Sequence, residues 1–148
     1  MSLHHKIIKE QKMSIIFKKS TGEQVFSLTD FTNLKGEHPV IGYEFSFNSD
    51  GFGVKLTLEA ELFDLEDLLK GLTYINSSLK GGCYFEPMIS SQIKIKIEVT
   101  DQGQINIEGT INDPSYSTKL FFKFLSNQTF LSELISQCKM TINLLKEG

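Results

Sequence analysis

The stretch Gly53–Leu79, GVKLTLEAELFDLEDLLKGLTYINSSL, changes its hydrophobic period from 2 to 3.6 at Asp64. Alternate residues from Val54 to Leu62 are apolar and the residues between them are polar, which predicts a strand with one buried and one solvated face. After Asp64, the predicted N-cap, leucines recur at helical spacing and predict one apolar stripe that ends at Leu79: Leu65, Leu68, Leu69, Leu72 and Leu79. A strand that runs directly into an amphipathic helix predicts a domain of two layers.

The rest of the chain supplies further strands and one more helix. Strict alternation and tight turns predict strands over residues 40–48, 92–99, 104–111 and 118–124, with shorter candidates over residues 14–18, 25–28 and 83–89. Residues 130–145 carry apolar side chains at helical spacing behind a polar cap at residues 126–129. These elements predict an α+β fold: a single antiparallel β-sheet of about 5–7 strands with two amphipathic helices packed on one face.

The 148 residues suit one domain. Met-Ser-Leu at the start and Glu-Gly at the end resemble scars of an expression vector, so we expect a flexible leader over residues 1–12 and a single domain over residues 13–148. His4 and His5 belong to this leader. His38 stands beside a proline without an acidic or thiol neighbour at ligand spacing, so we interpret it as an exposed loop residue.

Composition argues against several classes of partner. The 15 basic residues are all lysine, and 18 acidic residues leave a net charge of −3. Arginine is the preferred side chain for phosphate and guanine contacts, so nucleic acid is not an expected partner. The apolar runs are too short for a membrane span, so we expect a cytoplasmic protein with no membrane partner. Cys83 and Cys138 lack metal-site or disulfide-framework spacing and are interpreted as reduced, buried thiols.

The sequence contains no pattern that predicts catalysis. A glycine-rich loop between a strand and a helix is missing, and a Ser-His-Asp or Cys-His set would need His38 or the leader histidines. We therefore expect neither an enzyme nor a bound cofactor or metal. An acidic cluster runs from Glu59 to Asp67; it is either a solvated face or a binding patch.

Several segments resemble the WapI family of immunity proteins. They are the alternating strand followed by DLEDLLKGL, the Phe85-Glu86-Pro87 segment, the hairpin over residues 93–111, and Asp113-Pro114 with KLFFKFLSNQTFLSELISQCKMTINLL. The resemblance spans about Val40 to Lys146. It implies a protein that is not an enzyme and that binds and silences a cognate toxin domain, typically a nuclease delivered by contact from a neighbouring bacterium.

If one sheet face is open, its outward side chains are the candidate contact surface. We expect the partner-binding residues to be Glu59, Glu61, Glu98, Glu108 and Phe121, the last as an aromatic anchor. An acidic, arginine-free protein would steer towards a basic nuclease and occlude its active site. The sequence leaves the oligomeric state unknown.

Two other functions remain open. One is a small-ligand-binding module whose pocket is lined by Tyr43, Phe45, Phe47 and Phe122, although aromatic side chains at period 2 more often belong to a core. The other is a structural subunit of an oligomer, which would need a symmetric interface above about 1,000 Å².

Overall fold

A computed structural model describes residues 13–34 and 39–147. The predicted leader, with His4 and His5, and the predicted loop residue His38 lie outside the described residues. The described elements, in chain order, are β1 (Ile15–Lys18), β2 (Gln24–Leu34), β3 (Val40–Ser49), β4 (Phe52–Glu61), α1 (Leu62–Ser78), β5 (Gly82–Phe85), β6 (Ile93–Val99), β7 (Ile105–Asn112), β8 (Lys119–Ser126) and α2 (Gln128–Glu147).

The prediction of a single sheet with two helices on one face is wrong. The strands form two antiparallel sheets of four: sheet 1 in the order β1-β2-β3-β4 and sheet 2 in the order β5-β6-β7-β8. Alternation along a strand tells which side is buried but not which element covers it. Here the buried side of each sheet faces the other sheet, an arrangement that the strand pattern alone does not distinguish from one large sheet.

Aromatic side chains join the two sheets. The ring of Phe122 in β8 lies with its centroid 4.9 Å from that of Phe26 in β2 and 5.3 Å from that of Phe47 in β3. Tyr43 in β3 meets Phe85 in β5 edge-to-face, with centroids 6.0 Å apart. The core therefore lies between the sheets, and exposed side chains such as Thr57 on β4 and Lys123 on β8 lie on the sides of the sheets away from it.

The helices close the remaining sides of this core. α1 follows sheet 1 in sequence but packs mainly on β5 of sheet 2 and on α2, whereas α2 packs on β1 and β2 of sheet 1. Gly71 permits the contact of α1 with β5, because a Cβ at this position would lie only 2.2 Å from the Cβ of Cys83. Each helix therefore ties its own sheet to the other.

Both helix starts are capped, one of them differently from the prediction. α1 begins at Leu62 with Glu61 as N-cap, and the Glu61 N–H donates to the Asp64 carboxylate at 2.8 Å, so the predicted N-cap Asp64 is the third residue of the helix. The end of the predicted stripe is also wrong: Leu79 is the left-handed C-cap and 49 % exposed, and Ile75 is buried instead. The cap of α2 is Asn127, as the predicted range allows.

The predicted hairpins are confirmed, and two strand lengths are corrected. The turn at Asp50-Gly51 joins β3 to β4, and Lys96 faces Glu108 across the β6–β7 pair. β2 extends to Leu34, beyond the predicted end at residue 28. A bulge at Asp30, where φ is +53°, interrupts the alternation, so the pattern in the sequence does not reveal the second half of the strand. β5 ends at Phe85, before Pro87.

Candidate functional site

The structure divides the five predicted contact residues between two surfaces. Glu98, Glu108 and Phe121 project from β6, β7 and β8 on the solvent side of sheet 2. Glu59 and Glu61 belong to β4 in sheet 1. Because the sheets face each other across the core, these two groups do not form one continuous surface.

The solvent side of sheet 2, which we call the outer face of sheet 2, combines aromatic and charged side chains in register. The cross-strand rows are Tyr84–Lys96–Glu108–Lys123, Lys94–Thr110–Phe121 and Gly82–Glu98–Asn106–Leu125. Phe121 is 60 % exposed, as its outward position in the alternation predicts, and Tyr84 is 51 % exposed. Two large aromatic side chains therefore flank a strip of lysines.

A shallow cleft of about 310 Å³ lies between these two aromatic side chains. The residues that line it are Tyr84, Lys94, Lys96, Glu108, Gly109, Thr110 and Phe121. The Lys94 ammonium lies 5.6 Å from the centroid of the Tyr84 ring and 3.8 Å from the Glu86 carboxylate. Exposed pairs of this kind contribute little to stability, so a partner can recruit these side chains at small cost.

Glu98 is engaged within the chain. Its carboxylate lies 3.3 Å from the Lys96 ammonium and accepts a hydrogen bond from the Asn106 amide at 3.4 Å. The hydrogen bond that Lys96 donates to the Glu98 carboxylate, together with the negative charge of Glu98, raises the pKa of Lys96 above its ordinary value. Lys96 is therefore cationic throughout the physiological range, and Glu98 is a positioning group more than a free acceptor.

The outer face of sheet 2 is slightly basic, although the chain is acidic. It carries the four lysines at positions 94, 96, 119 and 123, and the three glutamates at positions 86, 98 and 108, which leaves one net positive charge. Within the described residues, Lys119 and Lys123 form no ion pair. These two lysines are available to an acidic group from outside.

The solvent side of sheet 1, the outer face of sheet 1, is acidic. A cleft of about 270 Å³ over Gly42 is lined in part by Asp30, Glu44 and Glu59. Glu44 pairs with Lys55 at 3.4 Å, and Glu61 stands at the start of α1. Acidic side chains therefore lie around Glu59, on a different sheet from Phe121.

The aromatic side chains of the predicted ligand pocket form part of the core. Tyr43, Phe45, Phe47 and Phe122 are all less than 8 % exposed, and the rings of Phe47 and Phe122 pack directly on each other. This confirms the interpretation of the aromatic row as core. Side chains therefore occupy the space that the alternative of a small-ligand pocket lined by these four residues requires.

The two thiols are also confirmed as buried and free. Burial raises the pKa of Cys83 to about 11 and that of Cys138 to about 12. Within residues 13–34 and 39–147, no three His, Cys, Asp or Glu side chains group together as metal ligands do. Of the helices in the same ranges, neither has the length and apolar character needed to cross a membrane.

The five predicted contact residues leave out Tyr84 and Asp30. They also leave out Lys119 and Lys123, although the alternation along their strand already predicts that both lysines point outward. Tyr84 stands between the inward residues Cys83 and Phe85, so the period of 2 marks it as outward-facing. The sequence pattern does not predict that Asp30 is outward-facing, because a bulge with a positive φ at Asp30 sets its direction and the alternation does not show that bulge.

Residues 44–145 match the model of the family described as "Immunity protein WapI-like family". This range contains all of β4, sheet 2 and α1. None of the curated proteins compared with the chain matches it.

Two solved structures share the fold at low sequence identity. The plant transcriptional regulator PBF-2 has a TM-score of 0.50 and 11 % identity over 90 % of this chain and 89 % of its own. WHY1 from Arabidopsis thaliana has a TM-score of 0.50 and 13 % identity over 89 % of this chain and 82 % of its own. At such identity the likeness concerns the fold alone.

Proposed function

Because this chain belongs to the immunity protein WapI-like family, we propose that it binds a cognate bacterial toxin domain and neutralises it inside the cytoplasm of the cell that makes both. The family match over residues 44–145 is the observation that carries the proposal. The toxin is delivered by contact between competing cells, and the immunity protein protects the cell without catalysing a reaction.

The outer face of sheet 2 is the contact surface in this proposal. Phe121 and Tyr84 are large, exposed and held on a sheet, which is how aromatic anchors are presented at protein interfaces. Glu108, between Lys96 and Lys123, gives the face an alternating charge pattern that accepts one complementary arrangement and repels others. Glu98 contributes by positioning Lys96.

Glu59 and Glu61 lie outside the proposed contact and act on the association rate. They lie away from Phe121, on the acidic outer face of sheet 1, and add to the net charge of −3. Charges outside a contact change mainly the association rate, whereas a buried anchor changes the dissociation rate. Replacing both glutamates by lysine should slow association with a basic toxin, and Phe121→Ala should accelerate dissociation.

The toxin class we propose is a nuclease, neutralised by occlusion of its active site. The net charge of −3, which comes from outside the contact face, supports this class by steering the chain towards a basic domain, and nucleic-acid-cleaving domains are often basic around the reacting phosphate. Occlusion predicts competition: an excess of RNA should slow formation of the complex. If RNA has no effect on the association rate, the chain binds away from the active site.

The proposal is tested by asking whether the gene immediately upstream encodes a toxin domain that this chain neutralises. Both proteins are produced together, the toxin carries the affinity tag, and toxin activity is measured while this chain is titrated. We expect co-purification and complete loss of activity at equimolar ratio. A toxin that neither retains this chain nor loses activity in its presence would refute the immunity function.

A further inference from the structure

β8 is an edge strand, and over part of its length its outward backbone groups have no partner in the part of the chain that the structure describes. In the turn before it, the Asp113 N–H donates to the Thr118 carbonyl at 3.0 Å. The backbone N–H and C=O groups of Thr118 and of every second residue after it therefore point at β7. The alternate residues, Phe121 and Lys123 among them, direct their N–H and C=O groups away from the sheet. The Leu125 carbonyl confirms this direction, because it accepts the Ser20 N–H at 2.9 Å.

Other edges of the two sheets are met by groups from elsewhere in the chain. At β1, the Ile16 N–H donates to the Gln137 side chain at 2.8 Å. At β4, the Glu59 N–H donates to the Ser90 hydroxyl at 3.0 Å. α1 packs on β5. The turn that contains Ser20 covers only the end of β8, so no backbone group of residues 13–34 or 39–147 bonds to the outward side of the segment from Lys119 to Lys123.

The side chains on this segment select among possible strands. Phe121 stands between Lys119 and Lys123 on the same side of the strand. If two copies paired antiparallel with Phe121 opposite Phe121, each Lys119 would face the Lys123 of the other copy, and like charges directly opposite destabilise strand pairs. A partner strand with an apolar residue opposite Phe121 and acidic residues opposite Lys119 and Lys123 would instead form a favourable pair at all three positions.

We propose that β8 accepts an extended strand of the toxin domain, which continues sheet 2 beyond its edge and places an apolar side chain on Phe121 and carboxylates opposite Lys119 and Lys123. This inference rests on the proposed function, since the toxin is the partner. Main-chain hydrogen bonds to Phe121 and Lys123 supply affinity, and the Lys-Phe-Lys spacing supplies specificity.

Hydrogen exchange tests the backbone contact directly. In the free protein, the amides of Phe121 and Lys123 should exchange rapidly, because they are directed at solvent, whereas those of Phe122 and Phe124 are paired with β7 and should be protected. Binding of the upstream-encoded toxin domain should slow exchange at Phe121 and Lys123 at least tenfold. Unchanged exchange at both amides in a saturated complex would overturn the inference.

A pair of variants separates backbone from side chain. Lys123→Ala removes the charge and keeps the N–H, while Lys123→Pro also removes the N–H without breaking the β7 ladder. We expect the proline variant to bind the toxin roughly tenfold more weakly than the alanine variant, which corresponds to about one hydrogen bond. Lys55→Pro against Lys55→Ala, an exposed position of β4, is the matched control and should show no difference.

Charge reversal gives a third measurement that does not depend on how the proline variant folds. Lys119→Glu with Lys123→Glu should weaken toxin binding more than tenfold, whereas Lys55→Glu, on the outer face of sheet 1, should not weaken it. If wild-type protein binds the toxin and both reversals bind equally well, β8 is not the docking edge although the immunity function stands. If wild-type protein does not bind at all, the proposed function itself fails.

Discussion

Replacing Gly71 by alanine should destabilise the fold at the contact between α1 and β5. The added Cβ would lie 2.2 Å from the Cβ and 2.9 Å from the Sγ of Cys83, whereas ordinary contacts begin at 3.4 Å. The helix and the strand must therefore separate by about 1.2 Å, the difference between 3.4 and 2.2 Å. Cys83 has no flexible end with which to avoid the clash, because its Cβ is fixed to the strand.

The expected magnitude follows from two opposing effects. Overpacking of this kind costs up to about 3 kcal/mol, and the higher helix propensity of alanine returns about 1 kcal/mol. The net loss is about 2 kcal/mol, which lowers the Tm by roughly 4–8 °C for a chain of this size. Thermal and urea unfolding, followed by circular dichroism, measure this change.

Two controls make the prediction specific. At Gly53, in β4, an added Cβ would lie 3.6 Å from the nearest atom, the Phe47 carbonyl oxygen, so Gly53→Ala should change stability by less than about 0.5 kcal/mol. In a background of Cys83→Gly, the additional cost of Gly71→Ala should fall by more than half. A Gly71→Ala protein as stable as the wild type would refute the close approach of α1 to β5.

Three further predictions concern buried and titrating groups. The Tyr43 hydroxyl is buried and has no hydrogen-bond partner among the described residues, so Tyr43→Phe should leave the Tm unchanged or raise it; a loss above about 1 kcal/mol would contradict this. Hydrogen bonds from the Ser115 hydroxyl and the Thr118 N–H lower the pKa of Asp113 to about 2, so its stabilising effect is present above pH 4 and is lost as the pH falls from about 4 to 2. Urea unfolding over this range should show the wild type converging on Asp113→Asn, and a constant difference between the two would disprove the assignment. Cys83 and Cys138, whose thiol pKa values are raised by burial, should resist Ellman's reagent in the native protein and react in guanidinium chloride; rapid native reaction would contradict their burial.

The sequence predicts most of the local structure because its signals are local. The alternation over Val40–Ser49 and Phe52–Glu61 places each inward side chain correctly, and the Asp50-Gly51 turn fixes the register between the two strands. The buried stripe of α2 is likewise readable from its spacing. Each of these signals concerns residues close together in the chain.

The division into two sheets is a non-local property. The contact of Phe122 with Phe26 and Phe47 joins residues that are far apart in sequence, and the same inward pattern would suit a single sheet covered by helices. The error carried over to the site: Glu59 and Phe121 share an outward position in the pattern but lie on different sheets. Phe121 itself was predictable, since its exposure depends only on the period of its own strand.

The most direct test of the proposed contact compares two exposed phenylalanines in toxin neutralisation. Phe121 on β8 is 60 % exposed and Phe52 on β4 is 55 % exposed, so replacing either by alanine should leave the fold equally intact. Residual activity of the upstream-encoded toxin domain is measured against increasing amounts of each variant. We predict that Phe52→Ala neutralises the toxin as the wild type does and that Phe121→Ala needs at least tenfold more protein. Equal neutralisation by both variants, or a loss confined to Phe52→Ala, would contradict the placement of the toxin on sheet 2.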